Sequence, residues 1–405
     1  MTRILLCHNS YKISGGADVF YHEVGRILEK YGHEIAYFSS YEGDVDTEWA
    51  EYFPKVIDFK KNVVAAVMQF HNMVYSRKNR AAIEKLVDDF HPDLAHCFAV
   101  STRLTPSILD GLNAKKVPII CSFNDYKHIC PNYKLYHHGH LCEECKKGHY
   151  YRCIINSCCH NSLIYSTASA AEAYAHKILN IYRKNVHTFL FASEFMANKT
   201  EEFWGVGTFR WQMLRNPFDS QKFDAEYCPD GPVLFFGRLI EEKGVDMLIR
   251  AAAKLPDIKF RIVGDGPDIK KLKELSIKLE NKNVTFTGSK WSSDMDEEIK
   301  RCCFVVVPSL WHENYPYVIN QSFAYGKPII GTNRGGIPEM VSNYERGLIY
   351  EATELNDLVT KIKTLWCDSE MIKKMGDNAK KYANSEFNDK NLYMQLEDIY
   401  NGVLR

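Results

Sequence analysis

No stretch of this chain is apolar for long enough to cross a bilayer, so a helix-spanning membrane protein is not expected. Charge of one sign is not in excess either. The 51 basic and 51 acidic side chains give a formal net charge of zero, and nothing in that balance implies a nucleic-acid footprint or a polyanionic partner. The opening residues, MTRILLCHNSYK, hold only a few apolar positions in a row, short of the apolar core of a secretion signal, and read as a first strand. Without such a signal, the 13 cysteines point to a reducing compartment in which thiols stay free or bind metal. The expectation is a cytoplasmic protein, at most peripheral to the inner face of a membrane.

What is present is alternation. Short β-rich runs (RILLCHN, HEIAYFS, DLAHCF, VPIICSF, TFLFAS) alternate with helix-length amphipathic stretches such as Ala17 to Lys30 and Asn161 to Tyr182. This is the pattern of a parallel sheet covered by helices on both faces. Pro, Asp and Gly interrupt every period between Arg215 and Pro232, as in a linker, and a second series then begins: VLFFGRL, KFRIVGDG, NVTFTG, CFVVVPS, KPIIGT. A chain of 405 residues suits two domains of roughly 150 to 200 residues better than one core. The expected class is α/β, with two Rossmann-like, doubly wound domains facing a central cleft. Residues 1–215 form the first, carrying a Cys-rich loop at 128–160; residues 216–384 form the second; and 385–405 form a final helix crossing back to the first. Ligands of open parallel sheets bind at the carboxyl ends of strands, so chemistry is sought just after each strand.

Four loops there carry suitable residues. In HNSYKISGGADVF, Gly15 and Gly16 let backbone approach a ligand at a helix start, although the full three-glycine dinucleotide motif is absent. In FFGRLIEEKGVDMLI, Arg238 offers a planar fork and Lys243 a point charge, a pair suited to a diphosphate. In SLWHENYPYVINQSFAYGKPII, ionised Glu313 can accept from sugar hydroxyls. The N–H groups of Asn314, Tyr315 and Tyr317 stand near a helix start, and the Gln321 amide lies about two helical turns later. TNRGGIPEMV again puts two glycines before a helix. Taken singly, each has a plainer reading: a tight turn, a solvated pairing of Arg238 and Lys243 with Glu241 and Glu242, or a solvent-facing loop acid.

Together, GRLIEEKGVDMLIRAA, VGDGP, VTFTG, PSLWHENYPYVINQSFAYGKPII and GGIPE resemble the donor-binding half of the retaining glycosyltransferases of family 4, glycosyl transferases group 1, which have the GT-B fold. The resemblance implies transfer of a sugar from a UDP- or GDP-sugar, with retention at the anomeric carbon, to a glycan or lipid-linked acceptor in polysaccharide or glycoconjugate synthesis. It implies no cofactor for catalysis. By position, Arg238 and Lys243 would hold the diphosphate, Glu313 the donor sugar, and the loop with Gly15 and Gly16 the diphosphate from the other domain. The family's second Glu, which binds the donor ribose, is here Gln321, whose amide can still accept one hydroxyl and donate to the other. The family's His-Asp near the reacting centre is here Asn124-Asp125, and Asn cannot titrate; nearby His128 is a candidate substitute. These departures motivate an alternative, a catalytically silent sugar-nucleotide-binding subunit of a heteromeric transferase.

The Cys-rich loop contains the knuckle Cys142-x-x-Cys145, with Cys153 and Cys158 within reach of one tetrahedral thiolate site, which would hold a structural zinc. The other reading is a loop of free thiols with Cys130 packed as a small hydrophobe. The stretch Phe59 to Arg80 has apolar positions flanked by basic ones and suits either a membrane surface or a core.

Overall fold

The computed structural model describes residues 1–13, 15–41, 43, 45–55, 70–101 and 103–405, and the chain divides into two compact units. The first comprises residues 1–135, 142–217 and 392–405. Its sheet is built from β1 (Arg3–Cys7), β2 (Glu34–Phe38), β3 (Leu94–Cys97), β4 (Ile119–Phe123), β7 (Thr188–Phe191) and β8 (Trp211–Met213), in the order β2-β1-β3-β4-β7-β8, with every pair parallel. The central strands are near-continuous apolar runs because both faces are covered. Leu5, Cys7, Ala95 and Cys121 face one core, and Ile4, Leu6, Leu94 and Ile120 face the other. The last helix, Asp389–Leu404, belongs to the second core: Leu392, Leu396, Ile399 and Tyr400 are buried there, and Tyr400 Oη lies 2.8 Å from His96 Nδ1.

The second unit comprises residues 136–141 and 218–391. Its sheet contains β9 (Val233–Phe236), β10 (Phe260–Val263), β11 (Val284–Gly288), β12 (Phe304–Val307), β13 (Ile329–Thr332) and β14 (Gly347–Tyr350). The order is β11-β10-β9-β12-β13-β14, again all parallel. This is the doubly wound order whose direction of winding reverses between the third and fourth strands in space, here β9 and β12. The first sheet reverses between β1 and β3. In open parallel sheets each such reversal leaves a crevice at the carboxyl ends of that sheet's own strands.

Two details differ from the sequence reading. The strands β8 and β14 lie in segments with no assigned strand, because three or four residues are too few to display a period. The loop 128–160 does not lie wholly with the first unit. The hairpin β5 (Tyr136–His137) with β6 (His140–Leu141) groups with the second, where the Tyr136 hydroxyl donates to Glu241 Oε1 at 3.4 Å. Of the stretch Phe59 to Arg80, residues 59–69 lie outside the described residues; beyond them stand the helices Phe70–Val74 and Arg77–Phe90. Among the described residues no helix is long and apolar enough to cross a membrane.

Candidate functional site

The winding reversal of the second sheet is where Lys243 and Glu313 meet. After β9 the chain makes one 3-10 turn, Glu241–Lys243, which ends at Gly244 in the left-handed region (φ +65°). A Cβ at Gly244 would overlap the Pro308 carbonyl, so the turn after β9 can lie against the end of β12 only because this residue is glycine. Leu310 N–H donates to the Glu242 carbonyl at 2.9 Å and ties the two loops. On the other side, Gly335 (φ +60°) presses on the backbone of Glu313, and Gly336 N–H donates to the Glu313 carbonyl at 2.7 Å. The glycine loops that bracket Glu313 thus fix its backbone from two neighbouring strand ends.

The Glu313 carboxylate is 5% exposed and accepts from Lys243 Nζ at 2.6 Å and from Ser309 Oγ at 2.7 Å. Burial alone would raise its pKa. The Lys243 charge, with the bonds from Lys243 and Ser309, outweighs burial and holds the carboxyl below its ordinary range. The group is therefore an anion at neutral pH. Lys243 does not pair with Glu241 or Glu242; its ammonium spans to Glu313 and also lies 5.7 Å from the centroid of the Trp311 ring. Arg238 is exposed and makes no ion pair among the described residues, which leaves its guanidinium available. Gln321 is half-buried on the helix Tyr317–Ala324. The Tyr315 side chain is 3% exposed, bonded to Tyr382 Oη at 3.2 Å and edge-on to Phe387, so it anchors the loop and leaves only backbone to face a ligand. Asn314 and Tyr317 flank it, both partly exposed.

The first unit has a second strand-end cluster, of different character. His8 follows β1 directly. Its Nδ1 accepts from Ala99 N–H (3.2 Å), which assigns the proton to Nε2, and Nε2 donates to Asp18 Oδ1 at 2.8 Å. Asp18 Oδ2 in turn accepts from Gly15 N–H at 2.9 Å, fixing the start of the helix Gly16–Lys30. This His8–Asp18 pair escaped the sequence reading; the signal was a His immediately after an apolar strand and an Asp in the next helix's first turn. Asn124, after β4, has a buried Nδ2 with no acceptor among the described residues, an amide donor still to be satisfied. Burial pushes the Asp125 carboxyl up, against the opposing Lys127 and His8, and one of its oxygens accepts from Lys127 N–H at 2.9 Å.

The structure corrects one candidate. His128 does not stand in for the missing histidine of the His-Asp pair: its ring stacks on Phe123 (centroids 3.9 Å apart), Nε2 lies 2.8 Å from Thr200 Oγ1, and burial lowers its pKa to about 3. It is a neutral core residue. Among the cysteines, Cys153 is 1% exposed with its sulfur 3.8 Å from that of Cys159, and Cys142 lies with His137 and Glu144, their ligand atoms within 4.8 Å of one another.

Residues 224–382 match the family model "Glycosyl transferases group 1", which covers the second unit with its Arg238, Lys243, Glu313 and Gln321. An uncharacterized glycosyltransferase of Methanocaldococcus jannaschii is 32% identical over 167 residues, 41% of this chain and 47% of the relative; the chain thus spans about half the length of that curated relative. The fold extends further than the sequence likeness. Sucrose-phosphate synthase from Thermosynechococcus elongatus superposes with a TM-score of 0.74 at 16% identity over 99% of both chains. Anabaena HepE in complex with UDP-glucose does so with a TM-score of 0.64 at 17% identity, over 99% of this chain and 100% of that one. At such identities the likeness establishes the architecture, two Rossmann-like parallel α/β units. Residues 224–382 match the glycosyl transferases group 1 model, within a chain whose fold is of the GT-B type.

Proposed function

We propose that this chain is a retaining glycosyltransferase that moves a sugar from a UDP- or GDP-sugar to a glycan or lipid-linked acceptor. The observation that carries the reading is the buried Lys243–Glu313 pair at the winding reversal of the second sheet, with Arg238 unpaired beside the same strand. A diphosphate brings two or more negative charges. Arg238 and Lys243 are the cations to meet them, one as a fork and one as a point charge. Glu313, held ionised, accepts hydroxyl protons of the donor sugar, and its fixed backbone limits the positions that sugar can take. Gln321 suits the ribose diol. The match of residues 224–382 and the likeness in fold to a UDP-glucose complex support this donor class.

In the reaction the bond from anomeric carbon to phosphate oxygen breaks, the acceptor oxygen bonds to that carbon, and the acceptor proton passes to the leaving phosphate. No protein base is then required, which accommodates Asn124 where the related enzymes have a His. The Asn124 amide, with its Nδ2 lacking an acceptor among the described residues, remains a hydrogen-bond donor and not a base. The first unit supplies the acceptor contacts.

The test is release of nucleoside diphosphate from a panel of UDP- and GDP-sugars, with the anomeric configuration of the first-formed sugar product read by NMR. Retained configuration with one nucleotide class is expected. Inversion would overturn the retaining assignment, and binding without any turnover, with or without glycan or lipid-linked acceptors, would favour a silent binding subunit.

A further inference from the structure

The first unit contains a pocket of about 180 Å³ between the loop that follows β4, the turn Lys146–Gly148 and the C-terminal ends of the helices Leu163–Leu179 and Glu194–Trp204. Every residue that lines it belongs to the first unit, so it is no part of the site that holds Lys243 and Glu313. Its walls are of two kinds. Buried Tyr150 and Tyr182, with Phe203 and Trp204, make one side apolar. The remainder is basic: Lys127, Lys147, Lys177 and Arg183 line it, and no Asp or Glu does.

Not all of that basic lining carries free charge. Lys127 is paired with Glu172 at 2.9 Å. His128 and His176 also border the pocket, but burial lowers the pKa of both, and they are neutral at physiological pH. Three cations remain. Lys177 Nζ donates to the Lys147 carbonyl at 3.0 Å, and Arg183 donates through Nε to Asn180 Oδ1 and through Nη1 to the Trp204 carbonyl, each at 3.1 Å. These acceptors are neutral, and among the described residues neither Lys147, Lys177 nor Arg183 makes an ion pair. Acid is not scarce nearby: Glu202, on the helix that carries Trp204, is taken by Lys146 at 2.7 Å and Lys199 at 3.0 Å.

Bonds to the last carbonyls of a helix are a common use of Arg, and they account for one arm of Arg183. They do not account for Lys147 or for gathering three like charges around one concavity, where the apolar wall excludes water and strengthens their repulsion. The turn is shaped to bring them together. Lys147 and Gly148 both have positive φ, +62° and +81°, and a Cβ at Gly148 would push the Lys177 ammonium out of the place it holds. All three side chains are exposed, so a ligand reaches them directly from solvent.

We propose that this pocket binds a phosphate group, with Arg183 as a fork, Lys147 and Lys177 as point charges, and Phe203 and Trp204 against the organic part that the phosphate carries. A phosphomonoester brings about 1.5 to 2 negative charges and three acceptor oxygens at neutral pH, which suits three cations better than the single charge of a carboxylate. The volume is below the roughly 300–1,000 Å³ of sites for drug-sized ligands, so the pocket admits the phosphate and a few further atoms and not a nucleotide. Its existence does not depend on the transfer reaction.

The test is calorimetric titration of glycerol 3-phosphate and of inorganic phosphate into the full chain carrying Lys243→Ala with Glu313→Gln, which removes a cation of the donor site. Saturable binding is expected, weakened about tenfold by adding Arg183→Ala or Lys177→Ala, with no binding of glycerol. Tighter binding of glycerol 3-phosphate assigns the site to a phosphomonoester, and equal affinity assigns it to free phosphate. No saturable binding of either anion up to about 10 mM, or affinity unchanged in both variants, would overturn the site. If the variants fail to fold, the wild type decides: acetylation mapped by mass spectrometry should spare Lys147 and Lys177 when glycerol 3-phosphate is present and leave Lys184, bonded to Asp110 at 2.9 Å, unaffected. Labelling of Lys147 and Lys177 that is equal with and without the ester would contradict the proposal.

Discussion

The two units both gather polar groups at the carboxyl ends of their central strands, yet they do so with different chemistry. In the second unit the groups are ionic: Lys243 is bonded to buried Glu313, and Arg238 stands unpaired. In the first they are neutral or shielded: His8 with its proton on Nε2, Asp18 engaged by His8 and Gly15, and an Asn124 amide lacking an acceptor. On the proposed reading the ionic strand end suits a highly charged ligand and the neutral one suits hydrogen bonding. A shared topology thus sets where loops meet, while the side chains set their chemistry.

The sharpest way to break this contrast is Lys243→Ala. It leaves Glu313 buried without its cation, and we expect a loss of about 3 kcal/mol in stability together with loss of nucleotide binding. The double variant Lys243→Ala with Glu313→Gln should recover much of the stability and none of the binding; denaturant melts separate the two effects. A smaller loss, about 1–3 kcal/mol, is expected for Gly335→Ala, because the left-handed backbone and the neighbouring Glu313 both resist a Cβ. Donor affinity should fall with it, and unchanged affinity would mean that the Glu313 backbone position is not critical.

The cores differ in acid response. In the first unit burial depresses both His96 and His128 to about 3. Below a normal histidine pKa of about 6.5 the unfolded chain binds protons that the folded one refuses, so stability is present above that pH and falls as pH drops toward 3. The expected slope is about 1.4 kcal/mol per pH unit for each histidine. His128→Phe should reduce the slope without abolishing turnover, His96, His33 and His176 keeping their share. Glu313, whose pKa is lowered, contributes above the ordinary carboxylate range, and that contribution is lost only as pH falls through its depressed value. The smallest effect on stability is expected for Arg238→Ala: within about 0.5 kcal/mol, since the side chain is exposed and unpaired, but with donor affinity lowered about tenfold.

Most of the residues that the second unit gathers at its winding reversal were legible in sequence. Arg238, Lys243, Glu313 and the glycines occupy loops directly after apolar strands, and the close approaches at Gly244 and Gly335 leave no alternative residue type. What could not be read was the pairing of Lys243 with Glu313, since the order of strands in space, with β9 beside β12, is not written in their order along the chain. The first unit was less legible for the same reason. His8 and Asp18 lie ten positions apart, and each looks ordinary alone. His128 was misjudged because its loop sits beside the expected site, whereas its ring turns inward onto Phe123.

The most direct test of the central claim is the shift in unfolding temperature produced by a panel of UDP- and GDP-sugars in wild type, Lys243→Ala and Glu313→Ala. The account predicts stabilisation by one nucleotide class, abolished in Lys243→Ala and no longer sugar-selective in Glu313→Ala. Equal stabilisation of wild type and Lys243→Ala, or none by any nucleotide sugar, would contradict it.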